Sequence, residues 1–307
     1  MTGGVMTKRG RIALAAALVC MGGAASAEAV RIAALTPPAA RGVAMARSIA
    51  VGRIGGRDGM RLSLSLERAL AGRSLGGRAW FDVLAGRSGE DRADMILDGV
   101  AETDVVEGRV RLKRNRCIEG TEQKCAKRGE VELDCTRRRI DTAADLRVVS
   151  GEEGRVLWSG RKTRSDEVSW CPGDTRPRGT EDAVAAMLED VAGDVANDLA
   201  PGEWVGNVRF REGRKGMDKA TGDRFKAAIR QTQRDLPAAC AEFAALPDHP
   251  STLFNRALCA EASDDYAAAE RGYADLARTE RDSDVRDALA RVRGTIDVRG
   301  LIADRGR

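Results

Sequence analysis

Residues 93–100 read Ala-Asp-Met-Ile-Leu-Asp-Gly-Val, and this run opens a β-favouring stretch that reaches about Asn115. Basic and apolar residues alternate from Arg109 to Lys113, which is the period-two pattern of a strand with one buried face and one wet face. Further β-favouring runs precede the turn at residues 151–154, and another follows it. The pattern predicts an antiparallel meander.

Toward the amino terminus, three shorter runs at residues 30–36, 48–54 and 79–84 also favour strands. Apolar residues recur on one helical face over residues 60–71, so a helix is the preferred prediction between the second and third runs, although Leu62, Leu64 and Leu66 would also suit a strand. Spaced glycines at residues 52–59 raise the question of a phosphate-binding loop. A plain turn is the preferred interpretation, because no Gly-Lys-Ser/Thr follows them.

A long helix is predicted after the meander. Thr180 is a residue type that caps helices, and Glu181 and Asp182 are acids that suit the positive end of a helix dipole. Pro201 stops the pattern. Apolar positions recur at steps of three and four, and they are Val184, Leu188, Val191, Val195 and Leu199. This stripe is expected to lie on the sheet.

The carboxy-terminal third of the chain has a different composition. Residues 203–217 contain a Gly-, Arg- and Lys-rich connector and are interpreted as a linker. Over residues 218–300 Ala and charged residues dominate, with breaks around residues 246–250 and 263–265, so successive helices are predicted. Residues 301–307 are expected to be a frayed tail.

The order of elements over residues 28–202 predicts an α+β domain with an antiparallel or mixed sheet and packed helices. Residues 93–99 match the strand motif AD-x-(I/V)-L-x-G, and residues 154–159 match G-x-V-L-W-S on the following hairpin. Together with the helix that closes at residues 199–201, this order resembles the curli production assembly lipoprotein fold. The resemblance implies the fold alone. Pore formation is not carried over, because the cysteine-bearing stretch at residues 117–135 is an insertion relative to that family.

Residues 253–277 resemble a tetratricopeptide (TPR) unit, which is a pair of antiparallel helices. Arg256 and Ala260 depart from the TPR pattern, which usually has a large apolar residue and an aromatic residue there. The positions expected to pack between the helices are Ala257, Tyr266, Ala269 and Tyr273. Since one unit cannot bury both of its faces, the resemblance implies packing on neighbouring helices in a small all-helical, TPR-like domain.

Residues 1–27 read as a cleavable signal peptide, in which a basic start precedes an apolar run and the small residues of Ala25-Ser26-Ala27. The run is about half of the roughly twenty residues that span a bilayer. Cleavage is predicted after Ala27. Lipidation of Cys20 is the alternative, although Val19 precedes it where Gly, Ala or Ser is usual. The mature chain is expected to be periplasmic or secreted, or attached to the outer membrane if Cys20 is lipidated.

Six cysteines remain after removal of Cys20, and they are Cys117, Cys125, Cys135, Cys171, Cys240 and Cys259. An even number in an oxidising compartment predicts three disulfides. Cys240 and Cys259 lie far along the chain from the other four, so these two are predicted to pair. The pairing among the first four is left open.

Composition argues against several classes of function. Charged residues make up 32 % of the chain with both signs interspersed, and three charges of the formal net charge of +4 leave with the signal peptide. This nearly neutral surface does not suit nucleic-acid binding. His249 is the single histidine and is interpreted as a turn residue, which argues against a histidine metal site or a Ser-His-Asp site. No catalytic residue, metal ligand or cofactor is predicted.

The expected function is that of an exported, non-catalytic cell-envelope protein that binds another envelope protein. Binding would use either a sheet edge or the helical repeat. The alternative hypothesis is an oligomeric ring or pore-associated subunit of an envelope secretion system, which alone requires a homo-oligomer. A hydrolase with an unrecognised site is the third hypothesis.

Overall fold

The computed structural model describes residues 28–306, so the predicted signal peptide, with Cys20, lies outside the described residues. The strands are β1 (Ala29–Thr36), β2 (Ser48–Gly55), β3 (Ser74–Leu75), β4 (Arg78–Ala79), β5 (Asp82–Leu84), β6 (Met95–Thr121), β7 (Lys124–Ser150), β8 (Val156–Trp170) and β9 (Gly202–Arg209). The helices are α1 (Arg41–Ala44), α2 (Gly59–Ala71), α3 (Arg87–Glu90), α4 (Thr180–Leu199), α5 (Lys219–Gln231), α6 (Leu236–Ala245), α7 (Pro250–Ala262), α8 (Tyr266–Thr279) and α9 (Ser283–Arg305). The described chain is α+β, as predicted.

The main sheet is mixed and has the strand order β5-β2-β6-β7-β8. β2 runs parallel to β5 and β6, whereas β6, β7 and β8 form an antiparallel meander. β2 stops pairing with β6 at Val100, and β8 stops pairing with β7 at the Trp170–Thr136 pair. β6 and β7 continue beyond both points as a two-stranded ribbon that ends at the Thr121–Lys124 pair. The predicted meander is confirmed, with strands much longer than the sequence pattern indicated.

The first core lies between one face of this sheet and the helices α2 and α4. Leu62, Leu66 and Leu70 of α2 are fully buried there. The whole predicted stripe of α4 is also buried, which confirms the pattern, and its members are Val184, Leu188, Val191, Val195 and Leu199. Steps of three and four place such residues on one side of a helix, so the stripe faces the sheet.

The start of α4 differs from the prediction. Gly179 is the N-cap residue, and no side chain accepts a capping hydrogen bond there. Thr180 is already inside the helix, and its Oγ1 accepts a hydrogen bond from Arg138 Nη1 at 3.1 Å. A tertiary contact from β7 therefore uses the hydroxyl that the local pattern assigned to the cap.

The turn between β2 and α2 explains the spaced glycines. Gly56 has φ of +90°, and a Cβ there would lie 2.1 Å from the carbonyl oxygen of Ala101. A Cβ at Gly59 would lie 2.1 Å from the carbonyl oxygen of Ile54. Both positions exclude a side chain because neighbouring backbone packs against them. The chain turns at residues 56–58, whereas Gly52 and Gly55 lie in β2 and Gly59 is the first residue of α2.

A separate two-stranded sheet pairs the beginning of the described chain with residues that were interpreted as a linker. β9 runs antiparallel to β1 along its whole length, from the Ala29–Arg209 pair to the Thr36–Gly202 pair. The segment without regular structure therefore begins only after Arg209, and the linker predicted for residues 203–217 is corrected accordingly. The partner of β9 is remote in sequence, so the local pattern did not reveal it.

The second core belongs to the helices α5–α9, and β1 contributes to it. Ile32 and Ala34 of β1 are buried with Phe225, Phe243 and Tyr273 of the helices. β1, which the sequence assigned to the first domain, thus packs on the helical unit. The reason is its pairing with β9, which leads directly into that unit.

α9 contributes to both cores. Val285 and Val292 lie in the helical core, whereas Leu301 is fully buried in the sheet core. The helix ends at Arg305, so residues 301–305, which were expected to fray, are helical instead. Burial of Leu301 against the sheet domain stabilises this last turn, and a pattern-based prediction does not include that contact.

Candidate functional site

The two-stranded end of the β6–β7 hairpin, residues 110–135, extends beyond the rest of the sheet and is called the arm below. At ~3.4 Å per residue it is about 40 Å long. One face carries Leu112 opposite Leu133, and both side chains are half-buried. Ile118 near the tip is 47 % exposed. None of these arm residues belongs to either core.

The other face of the arm is charged and exposed. Arg111 Nε lies 3.4 Å from Asp134 Oδ1, and Lys113 Nζ lies 3.8 Å from Glu130 Oε2. Side chains in these pairs are about three-quarters exposed, so each pair contributes well under ~1 kcal/mol. A two-stranded hairpin is marginal in water, and the arm therefore depends on further support.

Two disulfides supply that support. Cys117–Cys125 clamps the tip of the arm, and Cys135–Cys171 ties its base to the segment that follows β8. Asp174 in that segment accepts a hydrogen bond from the Cys171 amide at 2.9 Å and forms an ion pair with Arg116. The Cys171 amide and then the Arg116 guanidinium lower the pKa of Asp174 below its usual value. All four cysteines left open by the sequence are thus bonded within the arm or at its base.

The sheet face opposite α2 and α4 is open and lines a trough of about 920 Å³. Three of its acids are paired with arginines on the same face, namely Asp98 with Arg147 at 2.6 Å, Asp145 with Arg161 at 3.3 Å and Asp141 with Arg139 at 2.7 Å. The hydrogen bond from Arg139 lowers the pKa of Asp141. A carboxyl group with a lowered pKa is ionised at neutral pH and has no proton to donate there.

The helical unit contains the predicted third disulfide. Cys240 and Cys259 are bonded at 1.99 Å and join α6 to α7, which confirms that pair. The four residues expected to pack between helices are buried, and they are Ala257, Tyr266, Ala269 and Tyr273. A Cβ at Gly272 would lie 2.9 Å from Ala257 Cβ, so α7 and α8 approach closely at these small residues. These positions bring α7 and α8 together, while assignment of the pair as a TPR unit stays a prediction.

A buried charged cluster formed by residues of α7, α8 and α9 was not predicted. Glu261 of α7 is fully buried and accepts hydrogen bonds from Arg291 Nε at 2.6 Å and Nη2 at 2.8 Å. Tyr273 Oη donates to the same carboxylate at 3.1 Å. Burial and the nearby Glu261 charge raise the pKa of Tyr273. The one sequence signal was a glutamate within an otherwise apolar and alanine-rich stretch of α7.

His249 lies in the turn before α7, as predicted. It is the N-cap residue, and its Nδ1 accepts a hydrogen bond from the Ser251 amide at 3.2 Å. Among residues 28–306 no group of three or more His, Cys, Asp and Glu side chains is arranged to hold a metal ion. Within the same residues no helix is both long enough and apolar enough to cross a membrane.

The sequence matches no protein-family model and no curated protein. Solved structures similar to this chain include the PelC dodecamer from Paraburkholderia phytofirmans, at 13 % identity over 55 % of this chain and 97 % of that one, with a TM-score of 0.28. A protein assigned as a lipoprotein from Caulobacter crescentus matches at 19 % identity over 52 % of this chain and 89 % of that one, with a TM-score of 0.23. A neuraminyllactose-binding hemagglutinin homolog from Helicobacter pylori matches at 9 % identity over 49 % of this chain and 81 % of that one, with a TM-score of 0.28. Each similarity covers about half of this chain, and the resemblance to curli assembly lipoproteins stays a prediction.

Proposed function

We propose that this chain is an exported, non-catalytic module of the cell envelope that binds another envelope protein, and that the arm (residues 110–135) makes the contact. The supporting observation is the arm itself. It extends about 40 Å at the spacing of a strand, outside both cores, and two disulfides stiffen it. A ribbon pre-organised in this way loses little conformational entropy when it binds, which favours affinity.

The chemistry of the arm suits a protein partner. Its half-buried face presents Leu112, Leu133 and the exposed Ile118, and its other face presents charges of both signs. Arg114 and Arg116 lie between these apolar residues on the same face, and a mixture of apolar side chains and arginines is common in protein interfaces. Three disulfides fit an oxidising compartment such as the periplasm. The export signal remains a prediction from residues 1–27.

The arm can be tested by cross-linking in the envelope. A photo-reactive residue at Ile118 is expected to capture one defined protein, whereas the same residue at the exposed Ile302 of α9 serves as the matched control. An Ile118→Asp, Leu112→Asp variant should lose that partner while keeping its fold, as judged by circular dichroism. Equal capture from both positions, or full binding by the double variant, contradicts the role of the arm.

A ring-forming subunit is the second candidate, and the two free sheet edges favour it. Among residues 28–306, β8 is an edge strand along its whole length, and no strand pairs with the outer side of β6 beyond Val100. Contact between opposite edges of successive copies is head-to-tail, and such contacts close into rings when the rotation allows it. Sedimentation velocity of the mature chain decides between the two candidates. A single high-order species supports the ring, and a monomer excludes it.

A further inference from the structure

A cavity of about 390 Å³ lies where β8 ends and α4 begins, at the base of the arm. Its wall includes Arg138 of β7 and Trp170 of β8. It also includes Arg176 and Arg178, from the segment that leads into α4, together with the first helical residue, Thr180. Three arginines and a hydroxyl thus line one cavity, and the arm contact proposed above does not use them.

The amino terminus of α4 opens at this cavity. α4 is 20 residues long, and its N-cap residue, Gly179, offers no side chain to the first amide groups. Such amides, with the positive end of the helix dipole, favour an anion. The side chains around this helix terminus add further positive charge and hydrogen-bond donors.

Arg138 is the buried member of this group. Its side chain is only 4 % exposed, and its buried Nε has no hydrogen-bond partner among residues 28–306. Nη1 donates to the carbonyl of Arg178 at 2.9 Å and to Thr180 Oγ1 at 3.1 Å. The carboxylate that faces it, Asp166, lies 3.9 Å from Nη2 and is itself 40 % exposed. With its counter-ion at 3.9 Å and one donor unused, this buried guanidinium is incompletely neutralised, and an anion in the adjoining cavity would balance its charge.

Arg176 and Arg178 reinforce the positive charge. Both side chains are exposed, and neither forms an ion pair with another described residue. Their segment is anchored at one end by the Cys135–Cys171 disulfide and at the other by α4. The guanidinium groups are therefore attached to a backbone that is fixed on both sides.

The nearby acids oppose this charge only in part. Glu107 lies in the cavity wall. Glu181, in the first turn of α4, is paired with Arg61 of α2 at 2.9 Å. Asp182 lies close to the N-cap residue. Its Oδ2 is 3.5 Å from the position that a Cβ on Gly179 would occupy. Asp182 is thus expected to weaken anion binding, so its removal should strengthen binding, whereas removal of an arginine should weaken it.

We propose that this cavity binds a phosphate group. The guanidinium groups of Arg176, Arg178 and Arg138, the Thr180 hydroxyl and the amino terminus of α4 border this one cavity. Donors spread over several groups suit a tetrahedral oxyanion better than a planar carboxylate. The phosphate belongs either to a soluble phosphate compound or to a phospholipid headgroup. In both cases the same groups bind it.

The first experiment uses the folded mature chain and inorganic phosphate. Sodium phosphate at 50 mM should raise the melting temperature by roughly 3–6 °C relative to sodium chloride of equal ionic strength, if the dissociation constant is near ~1 mM. The Arg176→Gln, Arg178→Gln variant should lose this shift. The Arg214→Gln, Arg234→Gln variant is the matched control, because those two exposed arginines lie in the helical unit, and it should keep the shift.

The second experiment identifies the source of the phosphate. A lipid headgroup is supported if the protein co-sediments with phosphatidylglycerol vesicles and not with phosphatidylcholine vesicles. The Arg176→Gln, Arg178→Gln variant should then reduce co-sedimentation at least ~10-fold more than the control variant does. A phosphate-dependent shift without vesicle binding supports a soluble ligand. Asp182→Asn should tighten either form of binding. The proposal is overturned if neither probe distinguishes the Arg176/Arg178 variant from its control.

Discussion

The guanidinium of Arg305 lies 4.3 Å above the ring of Trp80 and donates a hydrogen bond to the carbonyl oxygen of that residue. Arg305 is the last residue of α9, whereas Trp80 is buried in the sheet core and lies 225 residues earlier in the chain. Burial lowers the pKa of Arg305 from its usual value, although the group stays charged at neutral pH. This stacked pair, with Leu301 one turn earlier, joins the helical unit to the sheet domain.

Truncation of Leu301 is therefore expected to destabilise the sheet domain. Leu301→Ala leaves a cavity in the first core and should lower the free energy of unfolding by about 2–5 kcal/mol. Arg305→Ala removes the stacking interaction and should lower it by roughly 1 kcal/mol. Urea unfolding followed by tryptophan fluorescence measures both. Ile302→Ala, at an exposed position of the same helical turn, is the control, and an equal effect there would contradict this role of Leu301.

The buried pair of Glu261 and Arg291 predicts strongly non-additive mutations. Glu261→Met or Arg291→Met alone leaves one buried charge without its partner, and each should destabilise by about 3–5 kcal/mol. The double variant removes both charges and should lose much less than the sum of the two effects. Chemical denaturation of the original protein, the two single variants and the double variant completes a double-mutant cycle, which measures the coupling between the two side chains. Additive losses would show that the two side chains do not interact in solution.

The two tyrosines predict an alkaline limit to stability. Burial, with a hydrogen bond to Asp264, raises the pKa of Tyr266 to about 12, and burial beside Glu261 also raises that of Tyr273. Since both folded pKa values exceed the unfolded value of about 10, their stabilisation is complete below that pH and is lost as pH rises through it toward 12. The folded protein should show little tyrosinate absorbance at pH 10, whereas the denatured protein should be half ionised. A half-ionised folded protein at that pH would contradict the buried positions.

The tip disulfide, Cys117–Cys125, should stabilise the arm without affecting the stability of the rest of the sheet. Reduction or a Cys117→Ser, Cys125→Ser change removes a clamp between residues outside both cores. Hydrogen exchange in residues 110–135 should rise at least ~10-fold, while the midpoint of global unfolding stays nearly constant. A cooperative loss of the whole sheet would show instead that the arm belongs to the same folding unit.

The disulfide between α6 and α7 should stabilise the whole helical unit against unfolding. Closing its loop stabilises by roughly 3 kcal/mol on the chain-entropy model, so Cys240→Ser, Cys259→Ser should lose about that amount. Far-ultraviolet circular dichroism during thermal unfolding measures the change. Partner binding by the arm should persist in this variant below its melting temperature. Loss of the partner together with the helical unit would move the binding surface to the helices.

Local patterns predicted α2, α4 and the strand that begins at Met95 because each buries one regular face against a neighbour. Cys240–Cys259 was predictable because these two cysteines are close in sequence and remote from the other four. The pairing of Cys117 with Cys125 was not predictable. It depends on where the β6–β7 hairpin turns, and alternation alone does not fix the register of two long strands.

The sequence by itself determined the secondary structure wherever a residue's partners lie within one helix, one strand or one turn, as with the α4 stripe and the glycines before α2. Only the tertiary structure decided the pairing of β1 with β9, the burial of Leu301 and the ion pair between Glu261 and Arg291. The same holds for the cavity at Arg138, whose wall combines residues from two strands and the start of α4. Periodicity reports which face of an element is buried, but it contains no information on which distant element covers that face.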